Sequence, residues 1–274
     1  MARLKRLDGM RIVSLAPSVT SILLLLGVGR ELVGVSRWCK DVAEVGSRPE
    51  VGDCWKMDLR EVLRLRPTIL IGSVPFAAET VQKILAEPVV FLAINPRSLA
   101  DIYNDIRILG RVVGRGRAAE VLIRNMRRGF SDVARRLGGS RRLRVYCEAW
   151  PKPRISSPPW VAELVEMAGG KMIVDAGARV TDETIALAAP ELIVLAWAAT
   201  GARAKVSTAS RNPAWRDVPA VRSGNVVVIR DELLNTPGPP LVSGVHELAR
   251  AIGIALGKKD LPQRHRVTEK GIKL

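Results

Sequence analysis

Apolar residues along this chain gather in short continuous runs, and between the runs they recur at helical spacing. The runs 11–15 (RIVSL), 32–35, 68–72 and 89–92 lie in the first half. The runs 143–147, 192–196 and 226–229 lie in the second. A run of four or five apolar residues bounded by turn residues is the pattern of a strand buried on both faces. The segments between read as helices at 18–26, 58–65 and 77–85, then at 159–167, 182–188 and 241–256. Ser18 or Thr20 is expected to cap the first helix, and Gly27 and Gly29 to stop it. Gly169 and Gly170 close the helix at 159–167.

Strands that alternate with helices in this way imply βα units and mostly parallel sheets. The longest helical pattern runs from about Ser98 to about Leu137, with Gly110, Gly114 and Gly116 as points where it can break or bend. The expected fold is therefore α/β, with two Rossmann-like lobes whose central sheets are joined by a long rigid α-helix. The boundaries that follow are a first lobe over 1–97, a linking helix over 98–139, a second lobe over 140–257 and a basic tail over 258–274.

Open parallel sheets bind ligands beyond the carboxyl ends of their strands, so the residues after each run matter most. After the first run come Ala16, Pro17 and Ser18, and after the second Ser36, Arg37, Trp38 and Cys39. Asp53, Cys54 and Trp55 precede the helix at 58–65. Glu148, Trp150 and Lys152 follow the run at 143–147, and Trp197 follows the run at 192–196. The chain has six Trp against two Tyr and three Phe, and four of the six fall at these strand ends. Trp160 is placed near a helix start and Trp215 in a surface-type segment. Rings at strand ends suit a flat, largely apolar ligand, because they supply area at a low cost in side-chain entropy.

The formal net charge is +16. Arg clusters at 124–128, 135–136 and 141–144 read as solvated helix faces, and nucleic acid is not expected as a partner. The three Cys show no zinc-ligand spacing. The two His, His246 and His265, stand apart from any second ligand, and no phosphate loop, nucleophile elbow or zinc-protease motif occurs. No enzyme activity, catalytic residue, catalytic cofactor or resident metal is expected. No stretch reaches the length of a membrane span. Asp8, Gly9 and Pro17 interrupt the basic and apolar start of the chain, so no signal peptide is expected.

Four segments together resemble a known family. They are RIVSLAPSVTSILLLLGVGRELVGVS at 11–36, VGDCWKMDLREVLRLRPTILIGS at 51–73, EAWPKPRISSPPWVAELVEMAGG at 148–170, and NPAWRDVPAVRSGNVVVI with NTPGPPLVSGVHELARAI within 212–252. In order and spacing the chain resembles ABC-type substrate-binding proteins of the cobalamin, siderophore and haem branch, most of all the cobalamin-binding members. The resemblance implies a non-catalytic protein that holds a corrinoid, or another metal chelate, in a cleft between two lobes. By position it implies ligand contacts from Trp38, Trp55, Trp150, Pro17, Ser18, Arg37 and Trp197. It also implies docking onto an ABC permease through Glu183 and, beside Arg60, Glu61.

The chain departs from the family pattern at Ser21, Arg60, Ser73, Asp182, Thr236 and Pro240. With no signal peptide expected, the location implied is cytoplasmic, or extracytoplasmic by an unrecognised route. The alternatives left open are haem, for which Tyr146 is the axial candidate, and an anionic iron chelate met by Arg37, Lys152 and Arg154. A third is an intracellular interaction protein that retains the fold. Cys39 and Cys54 are candidates for a disulfide or for soft ligands to a metal-bearing cofactor, beside the plainer role of small buried residues.

Overall fold

The computed structural model describes residues 9–53, 57–136 and 141–257. Within them the chain forms two compact α/β units, one of residues 9–96 and 100–124, the other of 97–99 and 125–257.

The first unit contains β1 (Ile12–Ser14), α1 (Pro17–Leu25), β2 (Leu32–Ser36), β3 (Glu50–Val51), α2 (Leu59–Arg64), β4 (Ile69–Ser73), α3 (Ala78–Leu85) and β5 (Val90–Ile94). Its sheet has the order β3-β2-β1-β4-β5, and every pairing is parallel. Val13, Leu15 and Leu70 from the central strands pack with Val62 of α2 and Ile84 of α3. That accounts for the continuous apolar runs of β1, β2 and β4, which are covered on both faces, whereas the edge strand β5 is only partly covered.

The cap expected at Ser18 or Thr20 does not form. Ala16 occupies the N-cap with no side-chain bond and Pro17 opens the helix, because the proline ring already sets a helical φ and has no N–H to satisfy. Thr20 is buried instead, and its hydroxyl bridges Ser14 Oγ at 2.7 Å and the Cys39 sulfur at 3.0 Å. This polar bridge ties the end of β1 and the first turn of α1 to the turn after β2.

The helical stretch expected across 98–139 comprises two helices, α4 (Leu99–Val112) and α5 (Gly116–Arg136). Gly114 sits between them at φ 62, a left-handed conformation that glycine adopts without a Cβ penalty. The backbone N–H of Leu99 donates to Glu163 Oε1 at 2.9 Å, which caps the start of α4.

The second unit contains β6 (Leu143–Pro151), β7 (Arg154–Ser156), α6 (Pro159–Met167), β8 (Gly170–Met172), α7 (Asp182–Ala188), β9 (Leu192–Leu195), α8 (Ser207–Ser210), α9 (Pro219–Arg222), β10 (Val226–Val228) and α10 (Leu241–Ala255). Its sheet runs β10-β9-β6-β7, with β8 also paired to β6. Only the β6–β7 pairing is antiparallel. β6 is longer than its apolar run because the hairpin to β7 extends it past Trp150 to Pro151. Trp150 therefore lies within a strand rather than in a loop after one.

Trp215 is the clearest correction to the sequence reading. It is 1% exposed, not a surface residue, and lies in the core with Tyr146, Ile185, Ile193 and Leu195. Short 3-10 and helical turns at Pro213–Trp215 and Pro219–Arg222 fold the segment back over the sheet. Its polar flanks hid this in the sequence.

Candidate functional site

In the first unit, three residues after β2 and β3 form one group. Asp53 accepts a hydrogen bond from Arg37 Nη2 at 2.9 Å and another from Trp38 Nε1 at 3.1 Å. The Arg37 guanidinium lies 4.6 Å from the centroid of the Trp38 ring. Asp53 is buried while Arg37 is exposed. The buried carboxylate thus fixes both the indole N–H and the cation stacked on the ring, an arrangement that orders a half-buried aromatic before anything binds. Pro17 is half-buried and Ser18 buried at the start of α1. Trp55 and Cys54 lie outside the described residues.

Cys39 is a buried free thiol beside the hydroxyls of Thr20 and Ser36, and Cys147 is a buried free thiol in β6. Burial pushes both thiols up, which keeps them protonated and poorly nucleophilic. Both fit the role of small core residues.

In the second unit a buried carboxylate organises the carboxyl ends of β6 and β9. Glu148 is fully buried. Its Oε2 accepts from Tyr146 Oη at 2.8 Å and from Arg154 Nη1 at 2.9 Å, and its Oε1 accepts from Trp197 Nε1 at 2.8 Å. Arg154 also donates through Nε to Asp182 Oδ1 at 2.7 Å, and Asn212 Nδ2 donates to the same oxygen at 2.9 Å. The Arg154 guanidinium lies 4.3 Å from the Trp215 ring centroid. Glu148 was named in the sequence only as a residue after a strand, and its three donors come from β6, β7 and the segment after β9. A glutamate directly after an apolar run was the one signal available.

This network changes two expectations. Tyr146 is buried, and its phenol is pushed up by burial first and by Glu148 next. It donates to a carboxylate and packs edge-on against Trp215, with ring centroids 6.2 Å apart. It is a core residue, not an exposed axial ligand. Arg154 is held by two carboxylates inside its own unit, so it is not a ready cation for an anionic chelate.

Trp150 is 41% exposed, and its indole N–H donates to the carbonyl of Lys152 at 2.9 Å. Trp197 is half-buried. Glu61 and Glu183 are both exposed in the first turns of α2 and α7. Asp58 caps α2 by accepting from the Arg60 N–H, and Thr181 caps α7 by accepting from the Thr184 N–H. Side-chain and backbone hydrogen bonds at that cap lower the Glu183 carboxyl. Among the described residues no group of three or more His, Cys, Asp or Glu could hold a metal ion. No described helix is long and apolar enough to cross a membrane.

Both α/β units are built on mostly parallel sheets, and each anchors an indole beyond a strand end, Trp38 after β2 and Trp197 after β9. The chain belongs to the periplasmic binding protein family, whose profile matches residues 12–233. This is a family of binding proteins rather than enzymes. The chain is 27% identical over 255 residues to the ABC transporter substrate-binding lipoprotein YvrC of Bacillus subtilis (strain 168), covering 88% of this chain and 79% of that protein. It is 22% identical over 246 residues to the vitamin B12-binding protein of Vibrio parahaemolyticus, covering 87% of each. In fold it is similar to the periplasmic heme-binding protein BhuT in complex with two hemes, with a TM-score of 0.77, 19% identity, and 90% and 98% of the two chains covered.

Proposed function

We propose that this chain is the substrate-binding component of an ABC importer and that its ligand is a corrinoid of the cobalamin type. The observation that carries the proposal is the state of the indole N–H groups. Trp38 donates to Asp53, Trp150 to the Lys152 carbonyl and Trp197 to Glu148. Each ring has its only polar atom satisfied inside its own unit, so the surface left for a ligand is apolar and already oriented. A large ring system carrying neutral amides matches such surfaces.

Two of the three candidate cations point the same way, while Lys152 is exposed. Arg37 is paired with Asp53, and Arg154 with Glu148 and Asp182. A ligand that arrives with carboxylates, such as haem or an acidic iron chelate, would have to compete with those pairs. With Tyr146 buried, haem also loses the tyrosine ligand that the strand end had offered. The resemblance to cobalamin-binding and lipoprotein relatives supports an extracytoplasmic location. On this reading Trp38, Trp55, Trp150, Trp197, Pro17, Ser18 and Arg37 contact the ligand, and Glu61 and Glu183 meet a permease.

The test is a titration with cyanocobalamin and cobinamide, followed by Trp fluorescence and by the visible corrinoid bands, with haemin and a ferric chelate in parallel. Saturable quenching by the corrinoids that weakens in Trp38→Ala and in Trp150→Ala supports the proposal. Saturation by haemin or the ferric chelate alone would replace the corrinoid with that ligand.

A further inference from the structure

We propose that Glu148 is a positioning residue of the binding site, acting on the ligand through the ring of Trp197; this rests on the ligand-binding reading above. The backbone on either side of Trp197 is held without Glu148's side chain. The Ala196 N–H donates to the Glu148 carbonyl at 2.9 Å and the Ala198 N–H to the Ala149 carbonyl at 2.9 Å. Asn235 Nδ2 donates to the Ala196 carbonyl at 2.7 Å. Asp231 accepts from the N–H groups of Ala199 at 3.0 Å and Gly201 at 2.7 Å.

These bonds place the Trp197 Cα and leave its two side-chain torsions open. The ring packs along one side against the core of the second unit, and the 2.8 Å bond from Nε1 to Glu148 Oε1 sets its orientation there. A half-buried ring that can rotate must be ordered when ligand binds, and fixing it in advance removes that cost. Glu148 is suited to the task because its other oxygen is saturated by Tyr146 and Arg154. The carboxylate therefore cannot swing away to follow the indole.

A purely structural role would look different. If Glu148 served only to neutralise buried Arg154, its charge would matter and the position of Oε1 would not. Two variants separate these roles. Glu148→Asp keeps the charge but withdraws the carboxylate by one methylene from Trp197. Glu148→Gln loses the charge but keeps an acceptor at Oε1; its amide N–H groups face Tyr146 Oη, which can turn to accept, and Arg154 Nη1, which cannot, so this variant loses the Arg154 pair as well as the charge.

Positioning through Trp197 predicts that Glu148→Asp weakens cobinamide binding about tenfold, the scale of one lost hydrogen bond to a charged group. Glu148→Gln should recover most of that affinity although it unfolds at lower denaturant. In a Trp197→Phe background, Glu148→Asp should add no further loss. The reverse order of the two variants, or an equal loss with and without the Trp197 indole, overturns the proposal.

A readout without ligand keeps the two proposals distinguishable. The emission of Trp197, taken as the difference between the native protein and Trp197→Phe, should become more accessible to acrylamide in Glu148→Asp and stay protected in Glu148→Gln. If no corrinoid or haem binds the native protein, the ligand reading fails while this quenching result still decides the role of Glu148. Unchanged quenching in Glu148→Asp rejects that role.

Discussion

The guanidinium of Arg154 lies 4.3 Å from the ring centroid of Trp215, and both residues sit beneath the strand ends of the second unit. Trp215 also meets Tyr146 edge-on, and its own Nε1 has no hydrogen-bond partner among the described residues. The indole is therefore present for its volume and its π face. Trp215→Ala is expected to cost about 3–5 kcal/mol of stability, as for other large aromatic truncations in a core. Trp215→Phe gives up no hydrogen bond and should cost clearly less. Urea unfolding of both variants, followed by circular dichroism, measures the difference.

Asp105 on α4 is buried, and its Oδ2 has no hydrogen-bond partner among the described residues. Burial, and after it the charge of Asp101, raise its carboxyl to about 6. A folded-state value above the unfolded one means that the fold favours the protonated form. The contribution is fully present below about pH 4, and it is lost as pH rises through about 6. Asp105→Asn should therefore gain on the native protein by on the order of 1–2 kcal/mol at about pH 8, about half of the full shift. At about pH 4 the two should be nearly equal. Denaturant midpoints at the two pH values check both the sign and the size. A gain at the lower pH alone would contradict this account.

Gly244 in α10 packs against the chain just after β10. A Cβ at this position would come within 2.0 Å of the Leu233 carbonyl oxygen, which is backbone and cannot turn aside. Gly244→Ala should cost about 1–3 kcal/mol, in the range for overpacked cores. Gly114 has open space around it and only its positive φ to defend. Gly114→Ala should therefore cost about 1 kcal/mol. Thermal unfolding of the two variants side by side tests whether close approach outweighs backbone conformation here.

Charge reversal at the proposed docking positions separates ligand capture from delivery. Glu61→Lys and Glu183→Lys alter exposed first-turn residues on α2 and α7. Uptake of labelled cobinamide by cells carrying the cognate permease should fall in both variants, most in the double variant. A corrinoid titration of the purified variants checks that the loss lies in delivery. Full uptake by the double variant would remove both residues from the docking surface.

The sequence by itself determined the elements and their class. Continuous apolar runs are the mark of strands in a covered parallel sheet, so β1, β2, β4, β5, β6, β9 and β10 were legible, and the helices after them followed from periodicity. Pro159–Met167 and Asp182–Ala188 fall where the pattern placed them. The helical break near Gly114 was legible as a possibility, because glycine marks it. The short strands β3, β7 and β8 were not, because two or three residues carry no period and gain their stability from a partner strand.

Only the tertiary structure decided how the polar residues within those elements are used. Trp215 is buried because separate turns fold it onto the sheet. Tyr146 and Arg154 are removed from ligand chemistry because Glu148, two residues from one and six from the other, accepts from both. Trp197 is fixed by the same carboxylate from 49 residues away. Hydrophobic burial is written in the local order of residues. The pairing of buried polar groups depends on which distant segments the sheet brings to one strand end, and no local pattern records it.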